Sequence, residues 1–379
     1  MPTSSASRWL CAIACLLLGC AASEQPPAAN LVKDSAGVRI VENVGPSWTT
    51  PWRVAEEPSL TIGSVGGDPD QELDQVTGAI RLANGTVVVA NAGRYELLFY
   101  DPNGDLVRRA GGHGGGPGEF QSLEWIARFG ADSLLALDVL AHRVSYFDSE
   151  GRFVRSVRLE PNADIPFPTP VGFFSDGSLL ATKGLYLLGG DLPVRAERRE
   201  EPLFRYEPDG SAATLLGSFP GTERIIVPTG PVARSGGDRL ERRRRPFARE
   251  TVFAAAADLF FVANNEKYEI RVYSSDGRLR TMIRRQTDPI VLTEADYGAF
   301  QDSSLAAAND FARAQMRVLF ETQPPWHETM PAYAADIHVD DELNLWVQES
   351  ARPGDVRSLW SVFSIDGQLG GGAGPASGA

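Results

Sequence analysis

The sequence predicts an all-β fold of the β-propeller type, in which short-stranded blades are arranged around a central axis. Two turns recur along the chain at a nearly constant separation. The first units follow one another at steps of 47 and 45 residues, a period that suits a four-stranded blade. The composition agrees, because 38 glycines and 26 prolines in 379 residues favour many turns over long helices.

Each repeat opens with an inner element, which consists of a turn, a short apolar strand and a polar residue six positions after the turn. An outer hairpin follows, in which an aromatic residue and polar residues precede a glycine that supplies the positive φ of a tight turn. The inner elements are Gly85–Asn91, Asp132–Asp138, Gly177–Lys183, Asp258–Asn264 and, more loosely, Leu343–Glu349. The outer turns end at Gly104, Gly151, Gly210, Gly277 and Gly367. In three repeats the two turns are 19 residues apart.

Three segments interrupt this pattern and predict insertions. Residues 184–201 form a loop rich in both acidic and basic side chains, and residues 235–249 form an arginine-rich loop. From Thr293 to Thr322 apolar residues recur at helical spacing, behind an N-terminal Thr-Glu pair. We expect one helical insertion there.

The N-terminus reads as a signal peptide over residues 1–19. Arg8 precedes an apolar run, Trp9–Leu18, that is too short to span a bilayer. Gly19 followed by Cys20 resembles the bacterial lipobox, which implies that the chain is cut before Cys20 and that this cysteine carries lipid. Ordinary cleavage nearby without lipid is the alternative.

The remainder of the N-terminal region predicts an anchored envelope protein. Residues 20–33 form the lipid anchor and a flexible tether, and the residue after Cys20 is not Asp, which by resemblance to other lipoproteins favours the outer membrane. Cys11 and Cys15 leave with the signal peptide, so the folded domain has no disulfide and no thiol chemistry. A formal net charge of −13 argues against nucleic acid as a partner.

The most specific motif is Arg109–Phe120, which together with Asp138 and the segment His142–Asp148 resembles NHL-type repeats. More broadly, residues 38–367 resemble the bacterial six-bladed β-propeller lipoproteins. This resemblance implies six blades, with an N-terminal strand that completes the final blade. The segment Thr61–Gly67 resembles a blade-to-blade passage and implies an outermost strand ahead of the first repeat.

Five repeats are clear and the sixth is incomplete. The predicted propeller domain covers residues 34–368, and the glycine-rich residues 369–379 have no strand pattern and are expected to form a disordered tail. An incomplete ring, a five-bladed ring and a shortened gene product all fit this pattern.

The polar residues that end the inner strands are the candidate ligand-binding side chains. They are expected at one mouth of the central channel, either as a ligand or Ca²⁺ site, which needs about six to eight oxygens, or as caps of their own loops. The metal candidates are Asn91, Asp138, Asn264 and Glu349, whereas Lys183 argues against a simple ring of cation ligands. No catalytic residue and no cofactor other than Ca²⁺ is predicted, since nucleophile-elbow and phosphate-loop motifs are absent.

Two further groups of residues are candidate binding elements. Arg239 and the run Arg242, Arg243, Arg244 and Arg245 form a basic patch, either paired with nearby acids or in contact with anionic lipid or glycan. Trp326 and His327 follow the predicted helix and are expected near a channel mouth. The four histidines lack metal-ligand spacing, and loop or packing roles are expected for His113, His142, His327 and His338.

Together these features predict an envelope-anchored binding or scaffold module for a protein or glycan partner. A metal-dependent propeller enzyme, of the lactonase or lyase type, is the alternative.

Overall fold

The computed structural model of the chain describes residues 30–375, except 47–52, 56, 64–70, 131–132, 184–194, 212, 232–237, 309, 323–326 and 356–357. Cys20 and Trp326 lie outside the described residues. Within them the strands form five sheets, each built around an antiparallel group of four strands. The predicted all-β propeller is confirmed in this respect, and the sixth blade stays a prediction.

The N-terminal strands join blades that are formed much later in the chain. They are β1 (Leu31–Ser35), β2 (Val38–Asn43) and β3 (Arg53–Val54). Strand β1 pairs with β2 as a hairpin, so the sheet begins three residues inside the predicted tether. Strands β2 and β3 run parallel to the outermost strands of the fourth and fifth blades respectively.

The first two blades follow the predicted repeats closely. Blade 1 comprises β4 (Val76–Arg81), β5 (Val87–Asn91), β6 (Glu96–Tyr100) and β7 (Leu106–Gly111). Blade 2 comprises β8 (Leu123–Phe129), β9 (Ser133–Asp138), β10 (Arg143–Asp148) and β11 (Phe153–Arg158). The second strand of each blade is buried on both faces, which explains its unbroken apolar run.

Blade 3 has a fifth strand where the sequence predicts loops. Its strands are β12 (Thr169–Phe173), β13 (Leu179–Thr182), β14 (Arg195–Tyr206), β15 (Ala213–Pro231) and β16 (Asp238–Arg244). The prediction of an arginine-rich loop is therefore wrong for 238–244, since Arg242, Arg243 and Arg244 pair with β15 residues 224–226. Long-range pairing with β15 overrides a local composition that has no strand-like alternation of apolar residues.

Blade 4 consists of β17 (Thr251–Ala256), β18 (Leu259–Asn264), β19 (Glu269–Ser274) and β20 (Leu279–Arg285), extended by β2 and β1. The helical insertion follows it, as predicted, but contains two helices. They are α1 (Glu294–Ala307) and α2 (Asp310–Thr322). The break follows from the extended backbone of Ala308, with φ −86° and ψ 142°.

Blade 5 consists of β21 (Ile337–Val339), β22 (Leu345–Gln348), β23 (Trp360–Phe363) and β24 (Leu369–Pro375), with β3 at its edge. The prediction of a disordered tail is wrong for residues 369–375. Their glycines carry no side-chain pattern, but their backbone groups still pair with β23.

The core lies between neighbouring blades. Separate apolar clusters fill the blade 1–2, 2–3, 3–4 and 4–5 interfaces. The other face of blade 1 is covered by Ile62 and Leu73. The described residues 61–63 of the Thr61–Gly67 segment form no strand, as expected of a passage between blades. The strand ahead of them is β3, which pairs with the outermost strand of blade 5.

An ion pair fastens the helical insertion to blade 5. Thr293 caps α1 in a reciprocal arrangement with Asp296, and Arg352 donates to the same carboxylate. Hydrogen bonds from Arg352 and Thr293 lower the pKa of Asp296 to about 2.

We expect this contact to make the stability of the insertion depend on pH. Because the folded pKa lies below the unfolded value of about 3.9, the stabilisation is complete above that value and is lost as the pH falls toward 2. The wild type should have a higher thermal midpoint than Asp296→Asn at pH 6, and the two should converge at pH 2. Asp302→Asn, on the exposed side of α1, is the control and should match the wild type at both pH values. A constant gap between wild type and Asp296→Asn would contradict this prediction.

Candidate functional site

We call the end of the blades where the second strands finish the entry face. The second strands end there at Asn91, Asp138, Thr182, Asn264 and Gln348. The passages from one blade to the next begin at this end, and so does the helical insertion. The long connecting segments therefore lie on this face. Most of the polar residues predicted from the sequence belong to this face.

Asn91 and Asp138 cap the loops of their own repeats. The side-chain oxygen of Asn91 accepts the N–H of Asp74 at 2.6 Å, and its amide donates to Glu96 at 2.9 Å. The fully buried Asp138 accepts the N–H groups of Gln121, Ser122 and Ala141 at 2.8–3.1 Å. These contacts favour the capping interpretation of the two residues over a shared ligand site.

In blade 4 the corresponding buried cap is Asn265, one residue beyond the predicted Asn264. Asn265 accepts the N–H of Glu250 at 2.8 Å and returns its own N–H to the carbonyl of Glu250. Asn264 instead accepts from Glu266 N–H and from Arg198. Because two asparagines are adjacent at the end of this strand, the sequence alone does not determine which of them is the buried cap.

Blade 3 projects beyond its neighbours on the entry face. Thr182 ends β13 and pairs with Leu203, so residues 195–202 of β14 and their partners in β15 and β16 continue past it. We call these residues (195–202, 219–226 and 242–244) the blade-3 extension. Its arginines include Arg198, Arg199, Arg224, Arg242, Arg243 and Arg244.

Most of these arginines are ion-paired. Arg242 donates from Nε to Glu197 at 2.7 Å, and Arg199 contacts the same carboxylate at 3.2 Å. Burial raises the pKa of Glu197, but the two guanidinium groups outweigh it and hold the pKa below its usual range. Arg244 contacts Glu250, and both Arg243 and Arg245 have partners as well.

A cleft of about 610 Å³ lies between the blade-3 extension and the inner strand β17. Its lining includes Thr182, Glu197, Arg199, Arg224 and Arg242. We call it the blade 3–4 cleft. Arg224 is exposed, and its side chain makes no hydrogen bond or ion pair within the described part of the chain, although it attracts the Glu250 carboxylate electrostatically.

His327 connects the end of the helical insertion to the blade-3 extension. Its Nε2 lies 2.7 Å from Oε2 of Glu223, which also accepts the N–H of Arg249 at 2.8 Å. Burial raises the pKa of Glu223, but these hydrogen bonds outweigh it and leave the pKa below its usual value. Arg249, only 7% exposed, donates to the carbonyl and hydroxyl of Thr329. The segment after α2 is thereby held against blade 3.

Glu349 lies at a different cleft, between blades 4 and 5. This cleft has a volume of about 820 Å³ and is lined by Lys267, Tyr268, Arg285, Asp288 and Glu349, among others. We call it the blade 4–5 cleft. It shares no lining residue with the blade 3–4 cleft. Glu349 and Arg224 therefore belong to separate sites.

The remaining predicted side chains are dispersed. His113 packs on Tyr95 at a ring distance of 4.7 Å, His142 lies near Phe167, and His338 contacts Asp336 at 3.0 Å. Lys183 is partly exposed just after β13. Among the residues that the structure describes, no three His, Cys, Asp or Glu side chains are grouped as metal ligands.

Sequence reasoning missed Arg224, Glu223, Tyr268 and Arg285. Arg224 and Glu223 lie in β15, between the loops predicted at 184–201 and 235–249, where no repeat motif marks them. Tyr268 and Arg285 flank predicted strands, but their role depends on a carboxylate more than 60 residues away.

None of the helices in the described part of the chain is long and apolar enough to cross a bilayer.

No family model and no curated protein matches the chain. Solved structures with a similar arrangement include a member of the duf4221 family from Bacteroides vulgatus, with a TM-score of 0.43 and 11% identity over 80% of this chain and 83% of that one. A Bacteroides fragilis protein described as exported has a TM-score of 0.42 and 12% identity, over 86% and 80%. Virginiamycin B lyase from Staphylococcus aureus has a TM-score of 0.35 and 11% identity, over 80% and 85%. At these values the likeness is one of fold and is no guide to ligand or activity.

Proposed function

We propose that this chain is a β-propeller held at the bacterial envelope through Cys20, where it binds an acidic protein or glycan partner in the blade 3–4 cleft. The observation that carries the proposal is Arg224, an exposed arginine on the wall of that cleft whose side chain has no ion-pair partner among the described residues. Its neighbours Arg199 and Arg242 are already engaged by Glu197. Among the described lining residues of the cleft, Arg224 is therefore the arginine whose side chain can pair with a ligand.

The chemistry of the cleft favours an acidic group. Arginine presents planar, paired N–H donors that match a carboxylate or sulfate in two hydrogen bonds. The whole chain carries a formal charge of −13, so an acidic partner is repelled by most of the surface. A basic wall inside one cleft gives such a partner a single favourable place to dock, and the Glu197 pairs hold that wall rigid.

We expect Arg224→Glu to weaken binding of an acidic probe by roughly tenfold or more, because it replaces an attractive charge-assisted contact with a repulsive one. The probes are a fluorescent polyuronate oligosaccharide, for the glycan arm, and a poly-glutamate peptide, for the protein arm, followed by anisotropy at two salt concentrations. Arg280→Glu makes the same charge change at an exposed position on blade 4 outside the cleft and is the matched control. Equal losses in the two variants, or binding of neither probe by the wild type, would reject the cleft as the docking site.

The anchor has an independent test. Cys20→Ser removes the acceptor for lipid, and we expect the protein to move from the membrane fraction to the soluble fraction of the producing cell, since the acyl chains provide the membrane affinity at about 0.8 kcal/mol per buried CH₂. Cys11→Ser, inside the predicted signal peptide, should leave the distribution unchanged. Retention of the Cys20→Ser protein on membranes would contradict the lipoprotein assignment.

A metal-dependent hydrolase or lyase is the other function that the sequence suggests. No observation in the described residues favours it, since Asn91 and Asp138 direct their oxygens at backbone N–H groups of nearby loops. Calorimetric titration with Ca²⁺ separates the two functions. Specific heat of binding together with a rise in thermal midpoint would support the metal site.

A further inference from the structure

Glu349 is held by three hydrogen bonds that all reach the same oxygen atom. Its Oε1 accepts from the Tyr268 hydroxyl at 2.8 Å, from Arg285 Nη1 at 2.6 Å and from the Ser361 hydroxyl at 2.5 Å. Arg285 also donates to Ser361 at 2.7 Å, which closes the network. The carboxylate is therefore fixed in one orientation by three separate segments of the chain.

The donors in this network keep their protons. Burial raises the pKa of Tyr268, and the neighbouring Glu349 raises it further, so the phenol stays neutral and donates. Burial lowers the pKa of Arg285, but the attraction of Glu349 outweighs this and the guanidinium remains a cation. The network is thus preorganised around one charged acceptor.

The second oxygen of Glu349 has no such partner. Within the described residues Oε2 accepts no hydrogen bond, while the side chain is 22% exposed and lines the blade 4–5 cleft. A carboxylate oxygen that is immobile, accessible and unpaired is an acceptor ready for a donor on a ligand.

Two exposed charges of opposite sign line the same cleft. The side chains of Asp288 and Lys267 make no hydrogen bond or ion pair in the part of the chain that the structure describes. The apolar side chains of Pro289, Ile290 and Met330 also line it. The cleft therefore offers acceptors for a cationic donor, a cation for an acidic group and an apolar wall for the link between them.

We propose that the blade 4–5 cleft binds a small zwitterion of the amino acid or short peptide class. The ligand's ammonium group donates to Glu349 Oε2 and is attracted by Asp288, and its acidic group is paired with Lys267. An ammonium group suits this site better than a metal ion, because a single oxygen of Glu349 is available and hard cations require several oxygen ligands. The site is separate from the blade 3–4 cleft and does not depend on the function proposed there.

The test is isothermal titration of the full-length protein in detergent with glycylglycine and two blocked forms of it. The wild type should bind glycylglycine, and acetylation of the amine should weaken binding roughly 10- to 100-fold, because a charge-assisted hydrogen bond is lost. Amidation of the acid should weaken it through Lys267. Absence of binding by glycylglycine, or equal affinity for its acetylated form, would overturn the proposal.

Variants test the same residues from the protein side. Glu349→Gln keeps an oxygen for Tyr268, Arg285 and Ser361 but turns an N–H₂ donor toward the cleft, so glycylglycine affinity should fall at least roughly tenfold. If this variant has a lowered thermal midpoint, Asp288→Asn and Lys267→Ala decide the matter, since both side chains are exposed. Lys267→Ala should weaken glycylglycine but not its amide. Native affinity in all three variants would overturn the assignment, while Arg224→Glu should leave dipeptide binding unchanged.

Discussion

Replacing Asp138 by alanine should lower the free energy of unfolding by about 3–5 kcal/mol, because the substitution leaves several buried donors without an acceptor. The carboxylate is fully buried and accepts three backbone N–H groups, and Arg143 approaches it to 3.7 Å. Two of those N–H groups belong to the passage from blade 1 to blade 2, and the third to the turn after β9. Asp138 therefore joins a blade to the passage that precedes it.

For a domain of this size the loss corresponds to a fall in thermal midpoint of about 4–7 °C. Asp138→Asn keeps one acceptor oxygen and should fall between the wild type and alanine. Asp355→Ala removes an exposed carboxylate in a turn and serves as the control, with an expected change within about 0.5 kcal/mol. A midpoint for Asp138→Ala equal to that of the control would mean that the loop is satisfied by other acceptors, and the capping interpretation would be wrong.

The features of this fold that the sequence predicts are local ones. A turn glycine, a short apolar strand and a polar strand end all lie within a few residues of one another, so the five repeats are visible directly. The buried caps Asn91 and Asp138 follow from the same pattern, because a polar side chain at the end of a buried strand needs a nearby partner. Asn265 is displaced by one residue for the same reason, since its neighbour Asn264 offers the same chemistry.

The features that the sequence does not predict depend on pairing across long distances. Strand β2 joins β20 in blade 4, more than 200 residues later, and no pattern within β2 encodes that partner. The blade-3 extension and β24 are strands through backbone pairing, without an alternation of apolar side chains to announce them. From the amino-acid composition we predict loops at 184–201 and 235–249 and a disordered tail at 369–379.

The two clefts illustrate the same limit for the candidate sites. Glu349 is predicted as a polar residue at the end of a strand. The orientation of its carboxylate, however, is fixed by hydrogen bonds from Tyr268, Arg285 and Ser361, which lie in three different segments. Arg224 differs from its neighbours Arg199 and Arg242 because its side chain has no hydrogen-bond or ion-pair partner in the described part of the chain. Such a difference is a property of the assembled surface, and charge counting along the chain cannot reveal it.

Gly210→Ala should be the most damaging of the conservative glycine substitutions, with an expected loss of about 2–5 kcal/mol in the free energy of unfolding. Gly210 has a φ of +78°, and an added Cβ would lie 2.2 Å from the carbonyl oxygen of Arg158 and 2.7 Å from Val157. The carbonyl belongs to the end of β11, so it has little freedom to move. Next to it, Glu160 donates its N–H to Gly210 at 3.0 Å and accepts the Tyr206 hydroxyl at 3.0 Å.

Gly37→Ala separates the two causes of that loss. Gly37 has a φ of +82°, nearly the same as Gly210, but an added Cβ there meets nothing within 4 Å. Gly37→Ala should lower the free energy of unfolding only by the cost of a left-handed backbone at alanine, about 1–2 kcal/mol. The difference between the two variants therefore measures the steric contact alone. Thermal unfolding followed by near-UV circular dichroism gives both values. If Gly37→Ala proved as damaging as Gly210→Ala, the close contact of the blade 3 turn with the end of blade 2 would contribute nothing to stability. A larger loss of unfolding free energy for Gly210→Ala would instead establish this turn as a rigid junction between blades 2 and 3. Because the turn joins β14 to β15, such a junction would also fix the position of the blade-3 extension on the entry face.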